Sequence, residues 1–116
     1  MQKSVLEDIY RTHHSRGNRY GYLYCHGARI PFIKNWVGVG KKVLDLGCRD
    51  GMLTSGFAAG NEVLGVDIDQ KALALCRGKL GIQTVWLDLN AEWPFSPLSF
   101  DCIVACEIIE HLFLLD

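Results

Sequence analysis

The sequence lacks any CxxC pair: its five cysteines, Cys25, Cys48, Cys76, Cys102 and Cys106, are odd in number and scattered along the chain. Most sit in or beside apolar runs, which excludes a disulfide framework and points to a reduced, intracellular compartment. Clustered soft ligands are missing as well. His13 and His14 stand far from Cys25, so no metal site is expected. No segment approaches the roughly 18 consecutive apolar residues of a membrane span, and the N-terminus has no signal-peptide core. A soluble, cytoplasmic chain without membrane contact is the expectation. Internal repeats and low-complexity tracts are absent too.

What is present is a chain of 116 residues, 49% of them apolar, enough for one globular domain with a modest core. The formal net charge is only −1, but it is divided unevenly. Residues 1–42 carry eight basic and two acidic side chains, +6; residues 43–116 carry four basic and eleven acidic, −7. That asymmetry marks either an anionic partner or, the favoured reading, two halves of one domain neutralising each other.

Taken in order, Ser4–Thr12 reads as a short amphipathic helix, started by a capping box of Ser4 and Glu7. His13–Gly21 is a basic loop, and a second helix spans Leu23 to about Trp36, weakened by Gly27 and Pro31. From Lys41 strands and helices alternate. Lys42–Leu46 is a strand, Met52–Ala59 a helix, Glu62–Val66 a strand, Gln70–Lys79 a helix closed by Gly78 or Gly81, and Ile82–Leu87 a strand. Asn90–Ser99, with Pro94 and Pro97, is a loop with room for one helical turn near its end. Phe100–Ala105 is the fourth strand, and Ile108–Leu115 starts a further helix. Short, nearly continuous apolar strands separated by helices indicate an α/β fold with a covered parallel sheet.

The chemistry is concentrated in KKVLDLGCRDG, residues 41–51. Gly47 and Gly51 follow the first strand where the chain turns, and glycine there allows a positive φ and close approach of a ligand to backbone N–H groups. A tight turn with no ligand is the alternative reading. Asp67 ends the second strand about twenty residues on, where a carboxylate accepts ribose hydroxyls in nucleotide-binding sheets. The dinucleotide pattern G-x-G-x-x-G is missing, and so is the glycine-rich phosphate loop with its lysine. The acid before the turn, Asp45, would repel phosphate and suits an ammonium or sulfonium group. A pocket for a positively charged nucleoside is therefore expected.

The string VLDLGCRDG resembles motif I of the class I, seven-strand S-adenosylmethionine-dependent methyltransferases. VLGVDID resembles their second-strand acidic motif, WLDLNAEWPF their adenine-contacting segment, and FDCIVACEIIEHL their fourth-strand motif. The four occur in order from about Lys41 to the end of the chain. Within the family the sequence is similar to the small bacterial methionine-biosynthesis (MetW-like) and ubiquinone-methyltransferase-like groups. The resemblance implies a Rossmann-like three-layer sandwich with a four-stranded parallel sheet of order 3-2-1-4. It also implies that the C-terminal part of the seven-strand fold lies beyond Asp116. Residues 1–40 would then be an N-terminal helical or lid segment, and residues 41–116 the cofactor-binding half of the domain.

For S-adenosyl-L-methionine as cofactor, the resemblance implies that Asp45 organises the turn or contacts the amino end of the ligand. Gly47, Gly51 and the backbone of Cys48 would pack on its methionine part. Asp67 would hold the ribose, Ile68 would lie over the adenine, and Asp88 and Leu89 would bind the adenine edge. Tyr20 would belong to a lid. Glu107 ends the fourth strand beside the transfer site and, with His111, is the candidate acid–base pair. Arg49 stands where the family has its middle glycine, so its side chain pairs with the cofactor carboxylate or with an acid such as Asp50. Glu107, Glu110 and His111 are also similar to the metal-binding motif of small-RNA ribose methyltransferases, which need a further histidine beyond this chain.

Three readings follow: methyl transfer to a small-molecule acceptor; a non-catalytic cofactor-binding or interaction module; and, less favoured, an RNA ribose or base methyltransferase. The basic, aromatic stretch Arg11–Tyr24 is the feature an RNA would use. The apolar edge of the fourth strand calls for a partner or a second copy to cover it.

Overall fold

The structure is a computed structural model that describes residues 26–96 and 99–105. Tyr20, the Ser4–Thr12 helix, the basic stretch Arg11–Tyr24, Glu107, Glu110, His111 and the Ile108–Leu115 helix lie outside the described residues.

Helix α1 (His26–Val37) leads through Gly38 and Gly40 into strand β1 (Lys42–Leu46). Strand β2 (Glu62–Asp67), helix α2 (Gln70–Leu80), strand β3 (Gln83–Trp86) and strand β4 (Cys102–Val104) follow. All four strands run parallel, in the order β3-β2-β1-β4, as the resemblance implied. The chain thus steps outward from β1 to β3 and then returns to the other side of β1. That reversal makes a topological switch point between β1 and β4, the place where open α/β sheets bind ligands at the strands' carboxyl ends.

Register decides which side chains share a face. Val43 pairs with Val63 and Asp45 with Gly65, while Leu44 pairs with Leu64 and Leu46 with Val66. On the first face, Ile33 and Val37 of α1 pack with Phe57, Val43, Val63 and Val104. Leu73 and Cys76 of α2 pack there with Cys48, Ile82 and Trp86. On the second face Leu44, Leu46 and Val66 are buried beneath Leu87, Leu89, Trp93, Phe95 and Phe100. These come from the stretch after β3, not from a helix. The rings of Phe95 and Phe100 meet edge to face at 5.9 Å, and Trp93 Nε1 donates to the Leu89 carbonyl at 3.0 Å. An indole whose N–H is satisfied locally can seal an apolar face without leaving an orphan donor.

The helix expected over Met52–Ala59 is the main correction. The chain instead forms turns and a 3-10 segment, Thr54–Gly56. Ser55 Oγ donates to the Met52 carbonyl, a local bond that competes with helix. α1 presses on Gly56: a Cβ there would lie 3.0 Å from both the Ile30 carbonyl oxygen and Ile33 Cγ2. Direct contact with α1 decides this segment, and helix propensity does not. The other boundaries shift slightly, with β2 one residue longer than expected and β3 and β4 each shorter at both ends.

α2 has both of its signals in the sequence. Asp69 caps it, accepting from Lys71 N at 3.0 Å and Ala72 N at 3.2 Å. Gly81 closes it with φ 66. Asp69→Ala is expected to lower stability by roughly 1–2 kcal/mol, read as a fall in thermal midpoint, because two N-terminal N–H groups lose their acceptor.

Candidate functional site

The turn after β1 contains three residues with positive φ: Gly47 at 77°, Arg49 at 53° and Gly51 at 91°. It is tied to β2 by Gly47 N and Cys48 N, which donate to the Val66 carbonyl at 2.7 and 3.1 Å. Gly51 N closes it on the Cys48 carbonyl at 3.0 Å. Arg49 is the one non-glycine residue with positive φ among the described residues. A side chain in that region costs about 1–2 kcal/mol. Its guanidinium Nε lies 3.1 Å from Asp50 Oδ1. Asp50 is one of the two partners read from the sequence.

Gly51 is needed for packing as well as for its backbone angle. A Cβ there would lie 2.9 Å from Leu80 Cδ1 and 3.0 Å from Cys76 Sγ, both on α2. Gly51→Ala is expected to cost roughly 2–3 kcal/mol, combining left-handed strain with crowding of two side chains that can partly give way. Chemical denaturation of the variant checks this. Cys48 is buried, with its Sγ 2.9 Å from where a Cβ on Gly65 would be. A hydrogen bond with Cys76, then burial and the carboxylates of Asp45 and Asp67, push the Cys48 thiol up, so it stays protonated. Its side chain fills the sheet–helix space, and only its backbone belongs to the turn.

Four aspartates around the turn are buried: Asp45, Asp50, Asp67 and Asp69. Asp45 points to the first face, and Thr54 Oγ1 donates to its Oδ2 at 2.5 Å. Burial raises its carboxyl from 3.8 to about 7; the Thr54 bond opposes the shift and the nearby Asp67 charge adds to it. Asp67 ends β2. Its Oδ2 accepts from Arg49 N at 2.8 Å and its Oδ1 from Asp69 N at 3.0 Å.

Ile68 is buried beside Asp67. Asp88 lies two residues past β3 and accepts from Asn90 N at 2.9 Å. Leu89 is half-buried under Trp93 on the second face. Asp45, Gly47, Asp67 and Asp88 thus all stand at or just beyond the carboxyl ends of β1, β2 and β3. Two residues that matter were not read as part of the site. Thr54 gave no signal beyond a hydroxyl in an expected helix, and Asp50 was read only as an acid for Arg49 to pair with.

Comparison with known proteins agrees with this arrangement. Residues 43–114 match the methyltransferase domain family. The chain is 38% identical over 91 residues to a ubiquinone biosynthesis O-methyltransferase of Azoarcus sp., with 72% of this chain and 39% of the relative covered. It is 33% identical over 94 residues to the enzyme of that name from Idiomarina loihiensis, covering 72% and 38%. It therefore spans about two fifths of the length of these curated relatives. Among solved structures, a TehB-like S-adenosylmethionine-dependent methyltransferase from Corynebacterium glutamicum superposes with a TM-score of 0.65 at 24% identity, covering 95% of this chain and 59% of that one. The magnesium protoporphyrin IX methyltransferase of Synechocystis, with bound S-adenosylhomocysteine, gives 0.67 at 19% identity, covering 89% and 57%. These two show a shared fold. With a family match across most of the chain, an acid–glycine turn and a strand-end acid in the order that family uses, the chain belongs to the methyltransferase domain family.

Proposed function

We propose that the turn binds S-adenosyl-L-methionine and that the protein containing it methylates a small-molecule acceptor. The observation that carries this reading is Asp67: a buried carboxylate at the end of β2, held in place beside the glycine turn by the backbone N–H groups of Arg49 and Asp69. The donor set fits the ligand's chemistry. Gly47 and Gly51 put no Cβ on the turn, Asp67 can accept ribose hydroxyls, and Asp88 can accept an adenine amino group. Asp45, held at about 7, is poised to ionise when a cation is nearby. The absence of a pyrophosphate cradle fits the same ligand.

When bound, the cofactor supplies an electrophilic methyl group on a sulfonium. The chain's part is to bind and align it and to keep bulk water away, the main contributions to an in-line displacement. Glu107 and His111 are proposed to take the proton where the acceptor must lose one. The identity to ubiquinone biosynthesis O-methyltransferases supports the ubiquinone-methyltransferase-like group and a hydroxyl acceptor.

Equilibrium dialysis of the chain with S-adenosylmethionine, S-adenosylhomocysteine and NAD tests the reading. Saturable binding of both sulfur nucleosides, with none of NAD, is expected. Retention of NAD alone, or of none of the three, would overturn it.

A further inference from the structure

We propose that Asp50 is a positioning residue for the cofactor: it anchors Arg49 in its left-handed conformation and so aims the Arg49 N–H at Asp67. The proposal rests on the cofactor reading above. Asp50 is completely buried as a residue, and its side chain is 1% exposed. Its Oδ1 takes Arg49 Nε at 3.1 Å, and its Oδ2 lies 3.9 Å from Lys79 Nζ, which reaches over from α2. A buried carboxylate in this position costs solvation, and the two cations offset that cost. The geometry shows what the arrangement achieves.

Arg49 holds φ 53 without being glycine, and in that conformation its backbone N–H reaches Asp67 Oδ2 at 2.8 Å. The same residue therefore bonds the buried acid through its side chain and the strand-end acid through its backbone. Glycine in the left-handed region needs no such anchor. Arg49 and Asp50 thus act as one unit, an ion pair doing what glycine's freedom does elsewhere. Lys79 fixes the unit to α2.

A unit of this kind has a signature. Breaking a buried pair by removing one partner is costly, whereas replacing both partners is often neutral. Affinity for S-adenosylhomocysteine is measured by calorimetry, below the melting range of each variant, for the unaltered chain, Asp50→Asn, Arg49→Gly and the double variant. Asp50→Asn is expected to weaken binding about tenfold or more, and Arg49→Gly about threefold, because the acid loses its nearer cation. The double variant is expected to return to within about twofold of the unaltered chain, since glycine adopts the conformation unaided.

Rescue of Asp50→Asn by Arg49→Gly is an outcome that a merely space-filling Asp50 would not give. Losses that simply multiply in the double variant, or unchanged binding in Asp50→Asn, would overturn the role while leaving the cofactor reading intact. No binding by the unaltered chain would overturn both. Should Asp50→Asn fail to fold, the double variant still decides. Folding with near-unaltered affinity supports the anchor, and failure to fold or a tenfold loss overturns it.

Discussion

Asp67→Ala is expected to cost roughly 2–5 kcal/mol of stability, because it orphans two backbone donors, Arg49 N and Asp69 N. Asp69 N is buried and Arg49 N is partly buried, so water can replace the carboxylate only in part. The loss has two structural consequences. The Arg49 N–H is one of the bonds holding the turn after β1 on β2, and Asp69 caps α2. One side chain therefore fixes both the glycine turn and the start of the next helix. Cofactor binding by Asp67→Ala is expected to be lost beyond detection, since the proposed ribose acceptor and the shape of the turn go together. Urea denaturation gives the first effect and calorimetry the second. A variant that loses binding but keeps full stability would show that the two N–H bonds contribute little.

Asp45 gives the second large effect, and its sign can be stated. The folded carboxyl binds its proton up to about pH 7, whereas an unfolded one releases it near 3.8. Between those values the native state holds more protons than the unfolded one. This contribution to stability is thus fully present below pH 3.8 and falls as pH rises, with the loss complete above about 7. At 1.36 kcal/mol per pKa unit, the change across the window is about 4 kcal/mol. Asp45→Asn keeps an acceptor for Thr54 and removes the titration. Denaturation from pH 4 to pH 8 is therefore expected to show the unaltered chain losing about 4 kcal/mol relative to Asp45→Asn. Parallel stability curves for the two proteins would contradict the burial of an ionisable Asp45. Other groups titrate in the same range, so the difference between the two curves carries the test.

Much of this was legible from local sequence. Buried parallel strands write themselves as short apolar runs, which is why β1 has the expected bounds, Lys42–Leu46. Asp69 and Gly81 mark the ends of α2 by capping chemistry that depends on a few neighbouring atoms. The placement of Asp45, Gly47 and Asp67 at strand ends and in the turn was readable because turn geometry and strand-end acids are also local. What escaped depended on contacts across the fold. The helix expected at Met52–Ala59 gave way to Asp45 reaching Thr54 and α1 reaching Gly56. The cover of the second face by Trp93, Phe95 and Phe100 has no period to detect, because an irregular stretch supplies it. The burial of Asp50 was invisible for a similar reason. It depends on contacts from elsewhere in the chain, among them Lys79, which α2 brings over the turn.

The central claim is that the acid–glycine–acid constellation at the carboxyl ends of β1, β2 and β3 is the cofactor site. Amide nuclear magnetic resonance during titration with S-adenosylhomocysteine tests it most directly. The prediction is saturable shifts at Gly47, Cys48, Arg49, Gly51, Asp67, Ile68, Asp88 and Leu89, with the amides of α1 around Phe32 and Trp36 unmoved. Shifts gathered elsewhere, or none at saturating ligand, would contradict it.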